Sequence, residues 1–168
     1  MKIYLIGFMG CGKSVLGKRL ASKLNMEFYD LDLKIEEKYK MTVPSIFSRF
    51  DEKVFRKIES EMLQNFSSSD GDFVMSCGGG TPCFNDNMTI INSSGVSVYI
   101  KLNAKTLTDR LLKSKTNRPL IKNIPPDQLL PRISELLEKR EVFYNQAKIV
   151  IDGINLKPED ILVKLSET

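Results

Sequence analysis

Residues 7–14 read "GFMGCGKS" and fit the pattern G-x-x-x-x-G-K-[ST]. They stand between a continuous apolar run, "KIYLIGF" (2–8), and "KSVLGKRLASKL" (13–24), whose apolar residues recur at helical spacing. A strand apolar on both faces belongs inside a parallel sheet, and the helix that follows it must cover one face of that sheet. Glycines at the joint let backbone N–H groups curl around an anion at the helix N-terminus, where the peptide dipoles favour negative charge. Lys13 is then placed to reach β- and γ-phosphates, and the Ser14 hydroxyl to stand on Mg²⁺. The bland alternative, a glycine-rich turn with an ordinary lysine, does not call for this strand–turn–helix setting.

The rest of the chain continues the alternation. Strands are expected at 27–30, 72–77, 96–102 and 148–152. Helices are expected at 33–40, 42–50, 51–66, 85–94, 104–114, 127–147 and 157–167, with an irregular loop at 115–126. The long helix 127–147 is expected to bury a stripe of Leu130, Ile133, Leu136 and Leu137, with Pro131 tolerated in its first turns. Five short strands separated by helices predict a parallel sheet covered on both faces, an α/β/α sandwich whose ligands sit at the carboxyl ends of the strands. At 168 residues the chain is enough for one domain and short for two. No apolar stretch approaches the roughly 20 residues of a membrane span, and the N-terminus does not read as a signal peptide. A cytoplasmic protein is expected, and a monomer, since no apolar stripe is left over.

Composition narrows the chemistry. There is no histidine, which removes Ser-His and Cys-His mechanisms. Cys11, Cys77 and Cys83 form no CxxC pair and are odd in number, against a disulfide framework. What remains is Asp, Glu, Lys, Arg and backbone. The stretch 105–122 carries six basic residues against one acid, but no aromatic lies between Tyr99 and Phe143 to stack on bases. It reads as a solvated face or a phosphate-facing lid, and not as a nucleic-acid surface.

After the second strand, "YDLD" sets Asp30 and Asp32 two residues apart, on one side of an extended chain. One would stand on the metal side, with Asp30 the nearest candidate, and the other would accept a proton from an attacking hydroxyl. The competing reading makes Asp32 a cap for a helix beginning at Leu33. Glu52, Arg56 and Glu59 share a helical face, either as a surface salt-bridge ladder or as a guanidinium held still for a bidentate anion. Arg140 is a lone candidate of the same kind, and Arg118, stiffened by Pro119, suits a loop closing over transferred phosphate. "CGGG" (77–80) follows a strand and reads as a loose turn, as a second phosphate cradle that the first loop makes redundant, or as bare backbone that clears space for an acceptor. Cys11 is either a reactive thiol at a helix N-terminus or a small residue at a tolerant loop position.

In order, "GFMGCGKS", "FYDLD", "TVPSIF", "EKVFRKIE", "CGGGTP", "NRPLI", "REVFY" and "IDG" resemble shikimate kinases over essentially the whole length. The resemblance implies transfer of the ATP γ-phosphoryl group to the 3-hydroxyl of shikimate, with Mg²⁺ as cofactor and a sheet of order 2-3-1-4-5. It implies a single kinase domain over 1–168, with the phosphate loop at 7–14, a shikimate-binding segment at about 31–60 and a lid at about 112–125. By the same resemblance Gly10, Cys11, Gly12, Lys13, Ser14, Val15, Arg110 and Arg118 would contact the nucleotide, with Arg110 near adenine. Ser14 and Asp30 would be on the metal side. Asp32, Arg56, Glu59, Gly78, Gly79, Gly80 and Arg140 would form the acceptor site, with Asp32, Lys13 and Arg118 catalytic. The chain departs from the family pattern at Asp51, at Val142 and at Asn155–Leu156, where a glycine, a proline and a basic residue are usual.

Two rivals stand beside this reading. One is a kinase of the same fold acting on another sugar acid, polyol or nucleotide. The other is a module that binds ATP without turning it over, for which the acceptor groups would have no role. If the glycines clear space for an acid, Gly79→Ala should raise KM for that acid more than for ATP.

Overall fold

A computed structural model describes residues 1–114, 121 and 123–167. Five parallel strands form one sheet: β1 (Lys2–Ile6), β2 (Glu27–Asp30), β3 (Phe73–Ser76), β4 (Val96–Lys101) and β5 (Ile149–Asp152), in the order β2-β3-β1-β4-β5. The helices among the described residues are α1 (Lys13–Leu24), α2 (Leu31–Tyr39), α3 (Val43–Arg49), α4 (Glu52–Ser68), α5 (Asn87–Ser94), α6 (Ala104–Lys113), α7 (Pro126–Tyr144) and α8 (Pro158–Ser166), with a 3₁₀ turn at Thr81–Cys83. Ile3 to Ile6 and all of β3 are buried, as strands covered on both faces must be. Each such aliphatic side chain contributes about 1.5–3 kcal/mol by leaving water. No helix among the described residues is long and apolar enough to cross a membrane.

Register decides where the chemistry lies. Ser76 pairs with Leu5 on one side and with Asp30 on the other. The chain therefore leaves β1, β2 and β3 at one level, and the phosphate loop, the start of α2 and the glycines after Cys77 meet at a single edge. The strand order reverses at β1, between β3 and β4, which is where an open α/β sheet opens a crevice.

Three expectations change. β1 ends at Ile6, and Gly7 and Phe8 already belong to the loop. α2 begins at Leu31, and its cap is Asp30, whose carboxylate accepts the Leu33 N–H at 3.4 Å. Asp32 is thus neither a cap nor part of an extended pair. It stands in the first helical turn, and the two carboxylates reach the crevice from a strand end and from a helix. In α7 the buried stripe runs through Leu129, Ile133, Leu137, Arg140 and Tyr144, while Leu130 is exposed. The helix starts one residue earlier than its apolar pattern suggested and turns a guanidinium and a phenol inward.

Candidate active site

Gly10 (φ 83°) and Gly12 (φ 100°) hold the phosphate loop in left-handed backbone that side chains rarely adopt. Gly12 caps α1 without a side chain, so the first N–H groups of the helix stay available to an anion. Lys13 is buried, and its ammonium donates to the carbonyls of Gly7 (2.8 Å) and Phe8 (2.9 Å). Cys11 is 4% exposed with its Sγ 3.5 Å from that ammonium, which favours the small packed residue over an accessible reactive thiol. From α6, Arg110 donates to the Cys11 carbonyl at 3.1 Å. Beside it lies a cavity of about 210 Å³ lined by Gly12, Val15, Arg110, Asn155 and Leu156 among others. The departure at Asn155–Leu156 therefore falls on the wall of this cavity.

Ser14 donates to Asp30 Oδ2 at 2.6 Å, and its Oγ is 3.1 Å from Ser76 Oγ. No group of three or more His, Cys, Asp or Glu among the described residues is placed to hold a metal. One hydroxyl and one carboxylate, both hard oxygen donors, nevertheless fit Mg²⁺, which binds through few protein ligands and takes the rest from phosphates and water.

A second cavity, of about 380 Å³, runs from Met9 and Lys13 past Asp30 and Asp32 to Ser76, Gly78 and Gly79. Asp32 keeps some surface on it, but its Oδ1 is sealed from solvent and has no partner among the described residues. Burial raises the Asp32 carboxyl to about 7, helped by the Glu59 and Asp30 carboxylates and opposed by Lys13 and Arg56.

Arg56 and Glu59 are buried, which removes the surface-ladder reading. Arg56 Nε and Nη2 donate to Glu52 Oε1 (3.2 and 3.1 Å), and Nη1 donates to Glu59 Oε2 (2.9 Å). Its guanidinium carbon lies 4.4 Å from the centre of the Phe84 ring, with Phe55 at 5.2 Å. Rings and carboxylates together leave this plane little freedom. Arg140 is also buried; it lies 5.4 Å from the Phe8 ring, and its Nη1 has no partner among the described residues.

Gly78, Gly79 and Gly80 are absent from the positive-φ positions, so conformation does not demand them. Space does. A Cβ on Gly78 would stand 3.1 Å from both Asp32 Oδ1 and Glu59 Oε1, and one on Gly80 only 2.4 Å from Arg56 Nη2. A Cβ on Gly79 would meet Met9 N at 3.0 Å and Arg140 Nη1 at 3.3 Å, touching the phosphate loop as well as the acceptor side. If this side of the crevice takes the acid, the lesion selective for it is Gly80→Ala, with KM for the acid expected to rise about tenfold or more and KM for ATP to stay nearly constant, whereas Gly79→Ala should raise both. Steady-state titration of each substrate reads the difference.

Several partners were not found by reading the chain. Thr81 is fully buried and donates to Glu59 Oε1 at 2.6 Å. Asn87, also fully buried, donates to the Thr81 carbonyl and accepts from Ser60. The Thr81 signal was its place directly after the glycines. Arg118, Pro119 and the middle of the expected lid lie outside the described residues.

Comparisons with known proteins converge on one family. The shikimate kinase family pattern matches residues 9–168. The shikimate kinase of Azobacteroides pseudotrichonymphae is 44% identical over 164 residues, spanning 98% of this chain and 96% of that protein. The crystal structure of shikimate kinase from Bacteroides thetaiotaomicron superposes with a TM-score of 0.90 at 38% identity, over 99% of this chain and 97% of that one. Shikimate kinase from Acinetobacter baumannii, solved in complex with shikimate, superposes with a TM-score of 0.88 at 32% identity, over 99% and 94%. With the 2-3-1-4-5 strand order, a family pattern over 9–168 and relatives matched over nearly the whole chain, the chain belongs to the shikimate kinase family.

Proposed function

We propose that the chain transfers the γ-phosphoryl group of ATP to the 3-hydroxyl of shikimate, giving shikimate 3-phosphate and ADP. One observation carries the reading. The two buried side-chain polar atoms without a partner among the described residues are Asp32 Oδ1 and Arg140 Nη1. Such groups are costly to leave unpaired, and the acceptor that satisfies both is an alcohol that is also an acid.

In the proposed step Asp32 takes the hydroxyl proton as the alkoxide oxygen bonds to the γ-phosphorus. The bond from that phosphorus to the bridging oxygen breaks, and ADP departs. A carboxyl titrating at about 7 is matched to this task at neutral pH. Arg140 and Arg56 would grip the carboxylate of the acid, since Arg56 spends three of a guanidinium's five N–H donors on Glu52 and Glu59. Gly78, Gly79 and Gly80 would wall the ring, and Glu59 would brace Arg56. Lys13 and the loop amides of Gly10, Cys11, Gly12, Ser14 and Val15 would hold the phosphates, with Arg110 toward adenine and Arg118 as the lid arginine. Ser14 and Asp30 would hold Mg²⁺, which neutralises charge developing on the phosphates. The activity goes with a monomer working in the cytoplasm, where ATP is supplied.

ADP release coupled to a spectrophotometric assay, run over shikimate, gluconate and nucleoside monophosphates, tests the reading. Turnover with shikimate is expected, and turnover confined to a nucleotide overturns it.

A further inference from the structure

Tyr144 has no part in the mechanism above, yet it is fully buried and its hydroxyl donates to the Gly79 carbonyl. It lies four residues after Arg140, on the same face of α7. One helical turn thus holds both the guanidinium whose Nη1 is unpaired among the described residues and the bond to the glycine wall. The ring packs on Tyr99 with centroids 5.0 Å apart, and the Tyr99 hydroxyl donates to Glu141 at 3.0 Å, which ties the end of α7 to β4. Burial raises the Tyr144 phenol further above its ordinary value, so the hydroxyl remains a donor at neutral pH.

We propose that Tyr144 is a positioning residue for the acceptor: its hydroxyl locks the Gly79–Gly80 peptide against α7 and so sets the glycine wall and Arg140 as one unit. The proposal rests on reading the crevice as the acceptor's. The neighbouring backbone bonds, Thr81 N–H to the Gly78 carbonyl and Cys83 N–H to the Gly80 carbonyl, leave the Gly79 carbonyl to Tyr144. A trans peptide points its carbonyl and its N–H in opposite directions. Holding the Gly79 carbonyl toward Tyr144 therefore turns the Gly80 N–H away from α7. None of the hydrogen bonds found among the described residues uses that N–H. Without the phenol oxygen the plane is free to rotate, and a wall residue whose Cβ position is 3.3 Å from Arg140 Nη1 loses its register with that guanidinium.

Tyr144→Phe removes the oxygen and keeps the ring on Tyr99. Its KM for shikimate should rise about tenfold, the equivalent of one lost hydrogen bond, with KM for ATP within about twofold of wild type. Tyr99→Phe breaks the adjacent hydroxyl bond but not the one to Gly79, and should leave KM for shikimate within about twofold. Thermal midpoints with and without each substrate give a readout independent of turnover. Shikimate should raise the midpoint of Tyr144→Phe less than that of wild type, and ATP should raise both equally. A lower midpoint with unchanged KM values, or equal losses for the two substrates, overturns the proposal and leaves Tyr144 a packing residue. Wild-type protein inert toward shikimate would instead overturn the acceptor assignment, so the two failures are told apart.

Discussion

Asp32→Asn should lower kcat by about 10²–10⁴-fold, the usual worth of a general base, while the Kd for ATP stays within about twofold. The amide keeps the shape of the carboxylate and loses its ability to take a proton. Rapid-quench turnover and equilibrium ATP binding, measured on the same preparation, read the two halves separately. Wild-type turnover in the variant would remove Asp32 from the chemistry. The raised carboxyl adds a pH signature. Below about 7 the wild-type group is protonated, so kcat/KM should fall as pH drops through that value. The residual rate of Asp32→Asn should lack that limb.

Stability moves the opposite way. Folded Asp32 keeps its proton to about pH 7, whereas the unfolded chain releases it near the ordinary value of 3.8. Between those values the folded protein binds the extra proton, so its stability declines as pH rises across the window. Asp32→Asn removes this decline, and its urea midpoint should exceed that of wild type at pH 8 and converge with it toward pH 4. A variant less stable than wild type at pH 8 would show that the carboxylate is better compensated than its surroundings indicate.

Arg140→Ala is expected to cost about 10²–10³ in kcat/KM for shikimate, as truncation of a desolvated charge partner does, with ATP affected only a few-fold. The informative contrast is with Arg56→Ala. Removing Arg56 strands the fully buried Glu59 with only the Thr81 hydroxyl, and loss of one partner of a buried pair destabilises by about 3–5 kcal/mol. Among the described residues no carboxylate pairs with Arg140, so its removal strands no buried charge and should lower the denaturation midpoint far less than Arg56→Ala. The two arginines should thus separate: both weaken the acid, and Arg56→Ala softens the fold far more. A large stability loss in Arg140→Ala would mean that this side chain is chiefly a packing element.

The alternation of periods in the sequence located each strand and α-helix among the described residues within a few residues, because buried parallel strands and amphipathic helices leave clear patterns, and it missed the 3₁₀ turn at Thr81–Cys83. The site was legible in its charged residues. Asp30, Asp32, Arg56, Glu59 and Arg140 attract notice because a charge near an apolar pattern demands an explanation. Their geometry was less legible. Asp32 reaches the crevice because Asp30 caps α2 and starts it at Leu31, a choice between two aspartates that spacing alone does not make. Asn87 and Tyr144 were silent for another reason, and Thr81 nearly so, marked only by its place after the glycines. A hydroxyl or amide in a turn or helix looks the same whether or not it has a buried partner, and Thr81 meets Glu59 across 22 positions. The three glycines were read as room for a ligand. The structure shows that Gly78 and Gly80 first make room for the protein's own Asp32, Glu59 and Arg56, and Gly79 for Met9 and Arg140.

The most direct test of the central claim is a crystal structure with ADP, Mg²⁺ and shikimate bound. The expected result places the 3-hydroxyl oxygen within hydrogen-bond distance of Asp32 Oδ1 and the carboxylate on Arg140 Nη1, with the ring against Gly79. A ring seated away from both atoms, leaving Asp32 Oδ1 and Arg140 Nη1 as unpaired as they are now, would contradict it.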